Sequence, residues 1–492
     1  MKTSKKEAET APNNWPPRLM REEALKEIAQ RLSVEPRAAE LRFEQARLLT
    51  ELGRSEEAKR AYLELLALAP DHFGALNNLG ALLYSTGFRT AAHSCYAEAA
   101  ARHPDNPVAH VNLANLLRRN GELDLAREHF EIALRLAPEH AEAHQGLSYL
   151  FMDLGDEKAA EPHRRMGFRD HAVTVLPYRG QGQPLPVILL VSAMGGNVPI
   201  RSCLDDHLFL VTVIVTEFYD NTTPLPPHRL VINSISDADL CRSALEAAEK
   251  LTTLTKMPVI NPPSAVFATG RVDNARRLGS LPGVVTPSMM SVSRMLLEAP
   301  DAFSFLAGRG FESPFLLRTP GFHNGQNFFR VELAHDLKTV LTDLPGQDIT
   351  VMQFLDARSA DGKIRKYRVM MINGEIFPLH AAVAHQWKIH YVTAEMADNP
   401  EHRLEDEAFL NNMAAALGSR AMMGLEHIRD ALGLDYAGVD FSLDAMGNIV
   451  LFEANATMVV TAPEPDECWT YRRAPVERIM NAIRAMLISK AA

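Results

Sequence analysis

The stretch Phe73-Gly-Ala-Leu76-Asn-Asn-Leu79-Gly80-Ala-Leu-Leu83-Tyr-Ser-Thr-Gly87-Phe-Arg-Thr-Ala-Ala92-His-Ser-Cys-Tyr96-Ala-Glu-Ala99-Ala-Ala-Arg-His-Pro104-Asp-Asn106 decides how the first third of the chain folds. Its landmarks recur every 34 residues: Gly53, Gly87, Gly121 and Gly155; Ala58, Ala92, Ala126 and Ala160; Tyr62, Tyr96 and Phe130; Pro70, Pro104 and Pro138. A fixed period of this length marks a repeat array. Each unit reads as two amphipathic helices. The glycine occupies the turn between them, where a left-handed backbone favours a residue without Cβ. The alanine allows the helices to approach, and the proline stops the second helix.

This pattern resembles the tetratricopeptide repeat over about Ala39 to Arg165, with an extra helix from Arg21 to Leu32 capping the stack. The first copy departs at Arg42, and the last carries Arg164 in place of the aromatic, as terminal units do when one face meets a different neighbour. The resemblance implies a surface that binds a peptide or protein segment. A rigid spacer or a dimerisation surface is the plainer alternative.

Outward from the repeats, the whole chain has 492 residues, 47% hydrophobic and 23% charged, with 27 glycines and 30 prolines. That suits about three domains and excludes global disorder and collagen-like classes. A net charge of −10 argues against general nucleic-acid binding. Cys95, Cys203, Cys241 and Cys468 lie too far apart in sequence for a CxxC site. No apolar run approaches the about 20 residues of a membrane span, so no membrane partner is expected. Met1 to Pro17 lacks the apolar core of a secretory signal, and the expectation is a disordered tail on a cytoplasmic protein.

The expected organisation is a tail (1–20), a helical repeat domain (21–170), a linker (171–186) around Tyr178-Arg-Gly-Gln-Gly-Gln-Pro-Leu-Pro186, an α/β unit (187–257) and a second domain (258–490). Strands at Val187–Val191, Leu208–Val215 and Leu230–Asn233, a helix from Ala238 to Leu251 and then Val259-Ile260 before Asn261-Pro-Pro263 suggest an α/β unit with a mainly parallel sheet. The first strand runs into Gly195-Gly196-Asn197, where the backbone can approach a substrate closely; a plain tight turn would look the same.

The last 180 residues carry the chemistry-bearing motifs. An apolar strand delivers Arg318, followed by a loop with Gly321 and Gly325; a cation beside such a loop can fold over phosphates, and an ordinary hairpin is the alternative. Lys363, Arg365, Lys366 and Arg368 concentrate positive charge in an acidic protein, although alternation prevents all four from sharing one face, and a solvated strand is the alternative. A hairpin turns at Asn373-Gly374 and closes at His380. His380, His385 and His390 have a five-residue spacing that fits neither a helix face nor a strand face, which disfavours a transition-metal site. Lys366 and His380 are the substrate-side candidates.

The sharpest motif is Gly438-Val-Asp440, a turn near Asp444–Gly447, and Phe452-Glu453-Ala-Asn455. Strand alternation puts Glu453 and Asn455 on one face, and the turn brings Asp440 alongside. Two carboxylates and an amide oxygen would converge, a set suited to Mg²⁺.

In order, these pieces resemble the ATP-grasp superfamily over about Pro184 to Leu487, most closely the carboxylate–amine ligases related to the ribosomal-protein glutamate ligase and glutathione synthetase. The implied fold is a repeat solenoid followed by an α+β ATP-grasp domain with an α/β unit before it. The implied ligands are ATP and Mg²⁺. By the resemblance, Asp440, Glu453 and Asn455 hold Mg²⁺. Gln353, Phe354 and Leu355 contact adenine, and Asp356 reaches the ribose. Arg271, Arg318 and the Gly321–Gly325 loop take the phosphates, and Arg368 with Arg318 contacts the transferred phosphoryl group. Arg271 and Arg318 stand where the family has lysines, and Lys366 stands where it commonly has an aspartate. The implied activity is formation of a carbon–nitrogen bond through an acyl phosphate. The alternatives are an ATP-grasp kinase and a repeat scaffold with a degenerate nucleotide-binding domain.

Overall fold

The computed structural model describes residues 18–321, 325–389, 394–464 and 466–492. Most of the expected tail, part of the glycine loop and His390 lie outside them. The chain forms two compact units: residues up to Pro186 with Asp205–Thr212, and Val187–Leu204 with Val213–Ala492.

The first unit is a helical solenoid of α1 (Arg18–Val34), α2 (Ala39–Glu51), α3 (Ser55–Leu68), α4 (Phe73–Ser85), α5 (Arg89–Arg102), α6 (Pro107–Asn120), α7 (Leu123–Leu136), α8 (Ala141–Asp153) and α9 (Glu157–Phe168). The four turn glycines have φ between 74° and 89°, which is why no other residue recurs there. Tyr62 and Phe130 are fully buried with Ala58 and Ala126. Gly146 has no room for a Cβ, which would stand 2.2 Å from the Phe130 ring. Arg164, at the position of the missing aromatic, is buried and paired with Glu157 at 2.8 Å and Glu161 at 2.9 Å. Two histidine pairs repeat with the period: His110 Nδ1 meets His129 Nδ1 at 2.9 Å, and His144 Nδ1 meets His163 Nδ1 at 2.8 Å. Nε2 of His110 and His144 lies 2.9 Å from the carbonyl oxygens of Pro104 and Pro138. A carbonyl only accepts, so each Nε2 carries the proton and each facing Nδ1 accepts from its partner.

Two boundaries differ from expectation. Helix α1 begins at Arg18, inside the expected tail, and the expected linker contains β1 (Val173–Val175). A β-branched Val-Thr-Val run outweighs the neighbouring turn formers.

The second unit holds β2 (Leu185–Val191) from Val187 on, the end of β3 (Phe209–Val215) from Val213 on, β4 (Leu230–Asn233), α10 (Arg242–Thr252), β5 (Val259–Ile260), α11 (Pro263–Phe267) and α12 (Arg271–Leu278). Strands β2, β4 and β5 pair in parallel. Then come β6 (Val284–Val285), β7 (Met289–Ser293), α13 (Arg294–Leu297), α14 (Ala302–Gly308), β8 (Phe315–Arg318), β9 (Phe328–Val331), α15 (Ala334–Asp343) and β10 (Asp348–Gln353). The remainder is β11 (Ile364–Ile372), β12 (Glu375–Ala384), α16 (Pro400–Asn411), α17 (Met413–Leu432), β13 (Tyr436–Leu443), β14 (Ile449–Asn455) and α18 (Arg473–Ala491). A four-stranded sheet runs β7-β10-β8-β9, and a five-stranded sheet runs β12-β11-β13-β14-β6.

The expected division at 257/258 is not a division of cores. Strand β5 extends the parallel sheet past it, and one apolar cluster joins Ile188, Val231 and Leu245 to Val266, Val439 and Phe441. The four-stranded sheet has a separate core around Phe315, Leu317, Ile349 and Val351. Asn261, at φ 51°, ends β5 and is buried. Its amide accepts from Tyr436 N at 2.9 Å and donates to Tyr436 O at 2.8 Å, while its backbone N–H donates to Asp435 at 3.1 Å. No described helix is long and apolar enough to cross a membrane.

Candidate nucleotide-sized cavity with a buried charge cluster

A cavity of about 460 Å³ opens within the second unit. Its apolar wall includes Leu316, Phe328, Met352, Phe354, Trp387 and Met458, and Gln353 and Leu355 also line it. The Trp387 ring stands edge-on to Phe328 at 5.6 Å and to Phe354 at 6.2 Å. Gly196 and Asn197, after β2, and Ser236, after β4, form part of the rim. Carboxyl ends of parallel strands are where open α/β sheets bind ligands. Asn197 fixes this turn, accepting from Ser192 N at 2.8 Å and donating to Ser192 O at 2.9 Å.

The charged lining is Arg271, Arg318, Lys366, Arg368 and Lys388 against Asp440 and Glu453. This surplus of positive charge favours an anionic ligand. Pleating explains the placement. Lys366 and Arg368 are two apart on β11 and share a face, and Arg368 is opposite Asp440 on β13. Asp440 is opposite Glu453 on β14. Arg365 faces the other way and pairs with Glu405 at 2.6 Å.

Asp440 is buried. Its Oδ1 accepts from Arg368 Nε at 2.5 Å, and its Oδ2 accepts from Arg368 Nη2 at 2.8 Å and meets Lys366 Nζ at 2.6 Å. Burial alone would push this carboxyl up, but Arg368 and Lys366 outweigh it and hold the pKa well below the usual range. Glu453 Oε1 accepts from Arg271 Nη2 at 2.6 Å and from Asn455 Nδ2 at 2.9 Å. Burial opposes its ionisation as well, and Arg271 and Arg318 offset this to hold it at about 2. Burial and then the like charge of Arg271 lower Arg318 to about 10.

The expected convergence of three oxygens needs correction. Asn455 Oδ1 faces Thr457, accepting from its N–H at 3.0 Å and its hydroxyl at 2.7 Å. A backbone N–H can only donate, so the amide orientation is fixed. Both Asp440 oxygens are engaged by cations. Glu453 Oε2 is the oxygen of the set with no hydrogen bond among the described residues. The donor set therefore fits a divalent ion reached through Glu453 and completed by a ligand's own oxygens, rather than a three-residue cage.

Other expected site residues are spread more widely. Asp356 is exposed and bound to Arg358 at 2.7 Å, outside the lining, because a neighbouring cation captures it. His380 is buried on β12 opposite Arg368; burial and then Arg368 push its pKa well down, which leaves it neutral. Gly325 lines the cavity, whereas Gly195, Gly321 and His380 do not. Phe328, Trp387, Lys388 and Phe452 escaped sequence reasoning. The usable signal for Trp387 was a tryptophan in a polar loop, His385-Gln-Trp387-Lys388.

A family model described as "Tetratricopeptide repeat" matches residues 43–107, 77–138 and 111–163. The N-terminal region therefore carries tetratricopeptide repeats, and none of these matches passes residue 163. No curated protein matches the chain. Solved structures similar to part of it include "MamA 41-end from Desulfovibrio magneticus RS-1", at 26% identity and TM-score 0.27, covering 29% of this chain and 81% of that one. A "MamA RS-1 ArsTM double mutant" has 25% identity and TM-score 0.28, covering 30% and 84%. "YrrB: a TPR protein with an unusual peptide-binding site" has 18% identity and TM-score 0.28, covering 31% and 80%.

Proposed function

We propose that the second unit is an ATP-dependent ligase of the ATP-grasp type that joins a carboxylate to an amine, and that the repeats bind a peptide or protein segment. The observation that carries this reading is the cavity itself. An aromatic wall of Phe328, Phe354 and Trp387 suits a base, and Arg271, Arg318, Lys366 and Arg368 suit a polyphosphate.

In this reading Arg271, Arg318 and Arg368 neutralise the phosphates, with Asp440 holding Arg368 and Lys366 in place. Glu453, beside Asp440 and Asn455, would hold Mg²⁺, which supplies charge neutralisation to the transferred phosphoryl group. A substrate carboxylate oxygen forms a bond to the γ-phosphorus, and the bond to the β-phosphate oxygen breaks, releasing ADP. The amine then attacks the acyl carbon and loses its proton, and phosphate leaves with the electron pair of the acyl C–O bond. The chain's part is orientation, charge and exclusion of water, which would otherwise hydrolyse the acyl phosphate.

One observation favours a second reading. Both Asp440 oxygens are occupied by cations, which suits a repeat scaffold whose nucleotide domain binds without turnover. Titration calorimetry with ATP, with and without Mg²⁺, tests the shared element. Wild type should bind in a Mg²⁺-dependent way, and Glu453→Ala should weaken binding at least tenfold. No binding by folded wild type overturns both readings. ADP release that requires both a carboxylate and an amine selects the ligase. Binding without release in a screen of such pairs selects the scaffold.

A further inference from the structure

Asp440 and Glu453 stand opposite each other on β13 and β14, yet their surroundings treat them differently. Each Asp440 oxygen already accepts from a cationic donor, and Oδ2 takes Lys366 as well as Arg368. Among the described residues, Glu453 spends only Oε1, on Arg271 and Asn455. A divalent ion needs a lone pair that faces it and a place without a positive charge. Asp440 Oδ2 offers neither, because Arg368 and the Lys366 ammonium both stand at it.

We infer that Lys366 occupies the place of a second divalent ion, so that this cavity takes a nucleoside triphosphate with one divalent ion, reached through Glu453. The inference rests on the nucleotide reading above and sharpens it. Lys366 is a positioning residue here. Two residues from Arg368 on β11, it projects onto the same face of the sheet. Its charge comes with the fold, so it is present at every metal concentration, whereas a second ion would load only as free metal rises.

The test uses the full chain, Mn²⁺ as the spectroscopic ion and the β,γ-imido analogue of ATP. Bound Mn²⁺ per bound nucleotide is measured by electron paramagnetic resonance with equilibrium dialysis. One ion is expected for wild type, with no further class as free Mn²⁺ increases. Lys366→Gln should take two, because the amide can still hydrogen-bond Asp440 while removing the charge. Two ions per nucleotide on wild type overturns the inference and leaves the nucleotide reading standing. One ion on both proteins overturns the role of Lys366. No nucleotide-dependent ion on wild type overturns the inference together with the nucleotide reading. The wild-type count requires no variant, so the test survives a Lys366→Gln protein that fails to fold.

Discussion

The repeats and the β11–β14 sheet both carry many ion pairs, but they use them in opposite ways. On α5 the pair Arg102–Glu98 is four residues apart at 2.5 Å, with each side chain about half exposed. In the sheet, Arg368 and Asp440 lie 72 residues apart in sequence, also at 2.5 Å, with the carboxylate almost wholly buried. Water can replace the first partnership at little cost, whereas the carboxylate of the second is almost wholly shielded from it. A short distance between opposite charges therefore says little about stability until burial is known.

Removing one buried partner should break the contrast most severely. Asp440→Ala leaves Lys366 and Arg368 without their counter-charge and is expected to cost about 3–5 kcal/mol. In hydrogen exchange, β11–β14 should lose protection while α2–α9 keep theirs. Loss in the helices as well would show that the two units are energetically one.

The matching strain in the repeats is steric. Gly146→Ala would press a methyl group into Phe130 and should cost about 1–3 kcal/mol. Gly121→Ala meets nothing within 4 Å, but it forces a φ of 84°, and should cost about 1 kcal/mol. Thermal melts that rank these two the other way would mean that the helices part easily.

The histidine pairs bring charge into the same helices. Burial, and then the facing histidine, lowers the pKa of His129 and His163. The unfolded chain takes up these protons near pH about 6.5, and the folded chain resists them. Their contribution is therefore intact above that pH and falls as the solution is acidified. A melting profile between pH 7.5 and 5.5 should slope downward toward acid, and His129→Gln with His163→Gln should flatten it.

At the small end, Arg102→Ala should change stability by under about 0.5 kcal/mol. A larger loss would undo the contrast between exposed and buried pairs.

The same contrast explains what could be read from the sequence. The repeats are legible because each structural demand recurs: Gly53, Gly87, Gly121 and Gly155 all adopt the left-handed backbone that their spacing implied. The Asp440–Glu453 register is legible because a short turn and strand alternation fix it. The partners of those carboxylates were not. Arg271 reaches Glu453 across 182 residues, and nothing local says which cation will arrive. Nor did alternation reveal that Asn455 turns its oxygen toward Thr457, since that depends on the backbone two residues beyond. The 257/258 division fell just ahead of Val259-Ile260, although the alternation had already included that step, because a two-residue strand does not say which sheet it joins.

Asn261 carries a different kind of consequence. By clasping both backbone groups of Tyr436, it fastens the end of the parallel sheet to the first residue of the strand bearing Asp440. In mechanical terms it is a pin without slack. A push on Asp440 along β13 is delivered to β5, and the rim and the charge cluster share one frame of reference.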